Sequence, residues 1–203
     1  MPQGAIRSGA SAISMLLYDC GKLINILAKD SSEELVNMSS FQENMNEYKR
    51  QLQKGTIQKA YQGLMDYIMG LRTHFENKYP DYSVSGSIYQ GYMDMTYFSF
   101  FPESLRLRRL KVGIVFVYST FRFEVWLFGY NKSIQTKYWR LFKESNWNKY
   151  RLPSTAKGVD SILENVLAEN PDFSNLDALT NQIESGALKL ISDVEDFLSK
   201  AQN

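Results

Sequence analysis

A chain of 203 residues with 44% hydrophobic and 22% charged residues is long enough for one domain with a substantial core and has an ordinary globular composition. Its formal net charge is only +1, and its single cysteine, Cys20, excludes an intrachain disulfide and a cysteine-rich metal site, pointing to a reducing cytoplasm. The moderately apolar stretch Ala10 to Ala28 is interrupted by Asp19 and Lys22, which argues against a membrane span and against a signal peptide.

Residues 1–37 are rich in Ser, Gly and Ala and carry one short helical pattern, Ser11 to Leu27, so they read as a poorly structured N-terminal extension. Residues 38–203 read as a single α+β domain. Ser40 with Glu43 three residues on forms a capping-box pattern, and a first helix is predicted from about Phe41 to Gln53, ended by Gly55. From Thr56 the apolar positions Ile57, Tyr61, Leu64, Ile68, Leu71 and Phe75 recur at steps of four and three, which predicts a long amphipathic helix closed at Pro80.

The period then changes to two. Ser85 to Phe101 reads as one long strand or a bent pair with a bulge at Gly91, and Pro102 to Arg108 as a charged connection. Leu110, Val112, Ile114, Phe116 and Tyr118 alternate down a second strand. Phe121, Phe123, Val125 and Leu127 alternate down a third, leaving Arg122, Glu124, Trp126 and Phe128 on its opposite face. Asn131 is a suitable cap for a helix through Ser145. Another helix is predicted from Pro153 to about Ala168, and a last one from about Asn175 to Lys200 with Leu179, Ile183, Leu190, Val194 and Phe197 as its stripe. The order αα-βββ-α-αα predicts an α+β fold: an antiparallel three- or four-stranded sheet flanked by N-terminal and C-terminal helices.

Aromatic residues are concentrated in the middle. Between Tyr79 and Tyr150 lie 20 of the 28, including all three tryptophans. Charge is segregated as well: residues 103–151 carry 11 basic and 3 acidic side chains, and residues 152–203 carry 3 and 9. A basic, aromatic middle before an acidic end predicts either internal ion pairing or an anion-binding face.

Catalytic candidates are few. His74 is the only histidine, read as exposed or capping its helix, and no nucleophile stands beside it in sequence, so nucleophilic catalysis and a zinc site are both disfavoured. GSIYQGYMD lacks the Lys-Ser/Thr of a phosphate loop and the third glycine of a dinucleotide fingerprint. No catalytic residue, cofactor or metal is implied. Asp94 and Glu124, each read as mid-strand, loosely resemble the carboxylate pair of restriction-endonuclease-like nucleases, although Val125 and Trp126 follow Glu124 where that family places a lysine. The alternative reading pairs Glu124 with Arg122 or Lys111 across the hairpin.

Two binding readings remain. A small-molecule or protein-binding cleft would use Tyr92, Asp94, Arg122, Glu124, Trp126 and Tyr130. A nucleic-acid surface would use Lys137, Arg140 and Lys143 for phosphates and Trp139 and Trp147 for stacking, against a near-neutral pI of 7.7 and the lack of any recognised module pattern. A membrane is not among the expected partners.

The segments YKRQLQKGTIQKAYQGLMDYIMGLRTHFENKYPDYSVSGSIYQGYMDM, MTYFSFFPESL, FRFEVWLFGYNKSIQTKYWRLFKESNWNKY and LPSTAKGVDSILENVL, spanning about Asn46 to Leu198, resemble a family of bacterial proteins described as the domain of unknown function numbered 7000. The resemblance implies a bacterial cytoplasmic setting, carries no activity and no catalytic residues, and leaves residues 1–37 uncovered. The combined expectation is a binding or interaction module rather than an enzyme.

Overall fold

The computed structural model describes residues 40–201, in two compact units that meet in sequence at Tyr61 and Gln62. The expected extension, with its helix Ser11–Leu27 and Cys20, lies outside the described residues.

In the first unit, helix α1 (residues 40–54) ends at Gly55, whose φ of 72° is the left-handed conformation that glycine adopts without a Cβ penalty. The Gly55 N–H donates to Leu52 O at 3.1 Å, and the Gln58 side chain donates to the same carbonyl at 2.6 Å. Helix α2 (Thr56–Lys78) begins here, with Ile57 and Tyr61 exposed.

The second unit takes the rest of α2 and then β1 (Tyr82–Val84), β2 (Tyr89–Gln90), β3 (Met95–Pro102), α3 (Glu103–Leu107), β4 (Leu110–Val117), β5 (Arg122–Gly129), α4 (Lys132–Glu144), β6 (Leu163–Ala168) and α5 (Leu176–Lys200). The α+β class and the antiparallel sheet are as expected, but the sheet has six strands rather than three or four. Its order is β1-β3-β4-β5-β6, with β2 pairing the same edge of β3 as β1 but further along.

Two segments supply the extra strands. Ser85 to Phe101 takes the bent-pair form rather than one strand: the chain leaves β1, returns as β2 and reverses at residues 91–94 into β3, with Gly91 in the turn rather than at a bulge. Gly91 is the tight point: its N–H donates to Met95 O at 2.9 Å, and a Cβ there would sit 2.9 Å from that oxygen. The segment predicted as a helix from Pro153 instead loops to residue 162 and then forms β6, supplying the partner that the free edge of β5 requires. A register shift at Phe123/Glu124 lets Leu167 and Ala168 both turn inward, so Leu163, Leu167 and Ala168 are buried at a helix-like spacing.

Two smaller corrections follow. Pro102 to Arg108 contains helix α3 rather than a plain connection. Phe121, expected in the core, lies in the β4–β5 turn at φ 52° with 57% of its surface exposed.

One face of the sheet carries the core. Phe98, Phe100, Val112, Ile114, Phe116, Phe123, Val125 and Leu127 meet the buried stripes of α2 (Leu64, Ile68, Leu71, Phe75) and α5 (Leu179, Ile183, Leu190, Val194). Tyr67 packs edge-on against Phe123 at 5.8 Å, and Phe142 of α4 stacks on Phe197 of α5 at 4.7 Å. Asn131 and Asn175 cap α4 and α5, each accepting a backbone N–H through its side-chain oxygen. Among the described residues no helix is long and apolar enough to cross a membrane.

Candidate functional site

Strand alternation puts a second set of side chains on the opposite, outer face. Tyr89 of β2 is opposite Tyr97 of β3, Tyr97 is opposite Val115 of β4, and Val115 is opposite Glu124 of β5. Val115 and Phe128 are buried without belonging to the main core. They form a thin second layer on this face. The solvent side of such a sheet is ordinarily polar, so this concentration of rings is unusual there.

The rings form a connected run. Centroids of Tyr89 and Tyr97 are 5.0 Å apart, Tyr97 and Phe128 5.6 Å, and Phe128 and Trp126 5.9 Å, all within the range of favourable ring pairs. Gly113, across from Trp126, makes room: a Cβ there would lie 2.5 Å from the Phe128 ring. Tyr89, Tyr97, Lys111, Phe128, Tyr130 and Lys132 border a hollow of about 320 Å³. The Arg109 guanidinium and the Lys111 amine lie 5.5 and 5.8 Å from the Tyr130 ring, making one rim basic. Burial, with Tyr89 and Asp160 nearby, raises the Tyr97 hydroxyl above its ordinary range and keeps it a donor.

Beside the hollow, three predicted residues are brought together. Glu124, 4% exposed, accepts a hydrogen bond from Arg122 Nε at 2.7 Å on one carboxylate oxygen and from Trp126 Nε1 at 2.6 Å on the other. Arg122 also reaches Glu169 at 3.0 Å, and its guanidinium is raised above its usual value chiefly by the Glu124 bond. Glu124 therefore pairs with Arg122, and its two oxygens fix the positions of an arginine and a tryptophan. Glu124→Ala should cost about 2–3 kcal/mol, because it leaves a part-buried indole N–H without its acceptor and the Arg122 guanidinium with only Glu169. Urea unfolding checks this, and a loss under about 0.5 kcal/mol would show the pair to be of no structural weight.

Other predicted residues fall elsewhere. Asp94 is not mid-strand. It sits exposed in the 91–94 turn and accepts the Met95 N–H at 2.8 Å. Strand spacing and register put its Cα about 14 Å from that of Glu124, too far for one small cation to take both carboxylates. Tyr92, in the same turn, is fully exposed. Tyr130 borders the hollow, as above. Among the described residues no group of three His, Cys, Asp or Glu side chains could hold a metal ion.

The nucleic-acid candidates are spread over α4 and beyond. Lys137 lies 5.2 Å over the Tyr138 ring, Lys143 lies 4.6 Å over Trp139, and Trp139 Nε1 donates to Pro153 O at 2.8 Å. Trp147 is committed to packing on Phe142, Tyr150 and Phe197. Arg140 is exposed. His74 is neither free nor a cap, since its Nε2–H donates to Glu184 Oε2 at 2.6 Å.

Sequence reasoning missed Tyr89, Tyr97 and Lys132 as cleft residues. The alternation through MTYFSFF could have put Tyr97 on the outer face with Met95, but nothing local announces that Tyr89 returns to pair with it.

No curated protein and no solved structure matches this chain. The family model described as "Domain of unknown function (DUF7000)" matches residues 41–198, so the chain belongs to that family, as its sequence resemblance led us to expect.

Proposed function

We propose that this protein is a binding module of the bacterial cytoplasm, not an enzyme, which holds a flat aromatic group of a small molecule in the cleft on the outer face of its sheet. The observation that carries this is the run of rings from Tyr89 through Tyr97 and Phe128 to Trp126, placed away from the helices and bordered by Lys111, Tyr130 and Lys132. Rings offer stacking surface at low entropic cost, and the polar rim orients what they stack on. The Arg122–Glu124–Trp126 constellation supports the cleft by locking one end of the run.

A nucleic-acid surface along α4 has less support, because Trp147 and one side of Trp139 are already in use. The separation of Asp94 from Glu124 likewise speaks against a nuclease. A protein partner on this face is the competing outcome.

Neutral planar compounds, adenosine and indole among them, should perturb the backbone amide NMR signals of β3 and β5 in a saturable way. Tyr97→Ala should weaken that binding about tenfold, with Tyr97→Leu as a folded control. Absence of binding at millimolar compound, or unchanged binding by Tyr97→Ala, would overturn the reading.

A further inference from the structure

Next to the cleft lies a second hollow, of about 500 Å³, between the side of α4 and the loop of residues 154–158. Its lining holds three cationic residues, Lys132, Arg140 and Lys157, and no carboxylate. Ser154 adds a hydroxyl group, whereas the Thr136 hydroxyl donates to the Lys132 carbonyl at 2.8 Å, and Trp139 forms part of the wall. The wall is held in place: Trp139 Nε1 is tied to Pro153 O at 2.8 Å, and Thr155 Oγ1 accepts the Lys157 N–H at 3.1 Å.

The charge balance here is the informative point. Part of the chain's basic middle is matched by its acidic end: Arg122 meets Glu169, Lys149 meets Asp193, and Arg151 meets Glu164. The side chains of Arg140 and Lys157 make no ion pair or hydrogen bond among the described residues, although both border one concavity. Lys132 has a single weak partner, Asp160 at 3.4 Å, besides the Val159 carbonyl at 3.1 Å. Three cations grouped around a hollow repel one another, and an anion with several oxygens relieves that repulsion while accepting hydrogen bonds from each.

Lys132 also lines the aromatic cleft, so the two hollows adjoin at its side chain. We infer that the Lys132–Arg140–Lys157 pocket is an anion subsite for phosphate, and that the ligand of the whole site is a small phosphorylated compound with a flat ring, of the nucleoside phosphate class. The ring half of this inference rests on the function proposed above, whereas the anion half does not.

Calorimetry and amide NMR with adenosine, adenosine 5′-monophosphate, inorganic phosphate and a short single-stranded oligonucleotide separate the two. The monophosphate should bind at least about tenfold tighter than adenosine, with an affinity that falls as salt rises. Arg140→Ala with Lys157→Ala should remove that advantage and leave adenosine binding unchanged, whereas Tyr97→Ala should weaken both. Inorganic phosphate alone should shift amides of residues 154–158, an effect lost in the double variant. If adenosine binds and the 5′-phosphate adds less than about twofold, the anion subsite falls while the cleft stands. If phosphate shifts the loop and no ring compound binds, the cleft falls and only the anion site survives. Binding of the oligonucleotide without the mononucleotide would overturn the small-ligand assignment.

Discussion

Phe75→Ala should destabilise the second unit by about 4 kcal/mol. Phe75 is completely buried, with ring centroids 4.5 Å from Phe100, 5.8 Å from Phe98 and 5.9 Å from Tyr79. It is where the stripe of α2 meets β3, so its removal opens a cavity lined by aromatic rings that cannot collapse without moving a strand. The melting temperature should fall by roughly 8–16 °C, at about 2–4 °C per kcal/mol for a domain of this size. Phe75→Leu, which keeps most of the volume, should cost about 1.5 kcal/mol. A loss below that from the alanine variant would mean that α2 does not seat on the sheet through this residue.

Acid should unfold the protein between about pH 5 and pH 2, and Glu184 should be the leading cause. Burial raises the Glu184 carboxyl, but hydrogen bonds from Lys78, Tyr79 and His74 more than offset this and hold it at about 2, below its ordinary 4.5. The Lys78 and His74 contacts are both 2.6 Å, and the Tyr79 hydroxyl completes the set. Together they tie the C-terminal turn of α2 and the residue after it to α5. A carboxyl depressed on folding contributes stability that is fully present above its unfolded pKa and lost as pH falls through the folded one. Asp193 adds to the same window. Burial raises it, while Lys149, Tyr150 and Lys189 bring it to about 2 from 3.8.

After allowance for solvent screening, Glu184 contributes about 2 kcal/mol of pH-dependent stability. Glu184→Gln should therefore cost about that much at pH 7, flatten the acid limb of the stability curve, and converge with the unmutated protein near pH 2. Urea midpoints measured at pH 7, 4 and 2.5 check this. An unchanged pH slope in the variant would remove Glu184 as the source.

Much of the helical layout was legible because helices announce themselves locally. Leu64, Ile68, Leu71 and Phe75 on α2 and Leu179, Ile183, Leu190 and Val194 on α5 lie on their predicted stripes, and Asn131 and Gly55 sit at predicted ends. β4 and β5 were equally readable from alternation. Failure came where an element's state depends on a distant partner. Leu163 to Ala168 became a strand because β5 had an open edge, and a bulge there gave it helix-like burial. Phe121 alternates correctly with Phe123 yet falls in the turn, so its ring is left in solvent.

The candidate site divides in the same way. Arg122, Glu124 and Trp126 share a strand face by simple alternation, so their grouping could be read directly, whereas the choice between Arg122 and Lys111 as the partner of Glu124 was made by the fold. Asp94 could not be placed, since the reversal at residues 91–94 depends on β2 pairing back onto β3. Of the two readings of the segregated charge, the sequence favoured internal or solvated charge over an anion-binding face. Folding decided that Arg122, Lys149 and Arg151 meet acidic residues from the C-terminal part. Among the described residues it also left the side chains of Arg140 and Lys157 around a hollow without an ion pair or hydrogen bond.

By itself, then, the sequence determined the α+β class, the long helices, the two central strands and the family, because those are written in local periodicity and contiguous motifs. Only the tertiary structure decided the six-strand count, the joining of Tyr89 and Tyr97 with Phe128 and Trp126, and the meeting of α4 with the 154–158 loop at Lys132. Each of these brings together residues distant in sequence, where no local spacing rule reaches and burial and hydrogen-bond satisfaction over the whole chain choose the answer.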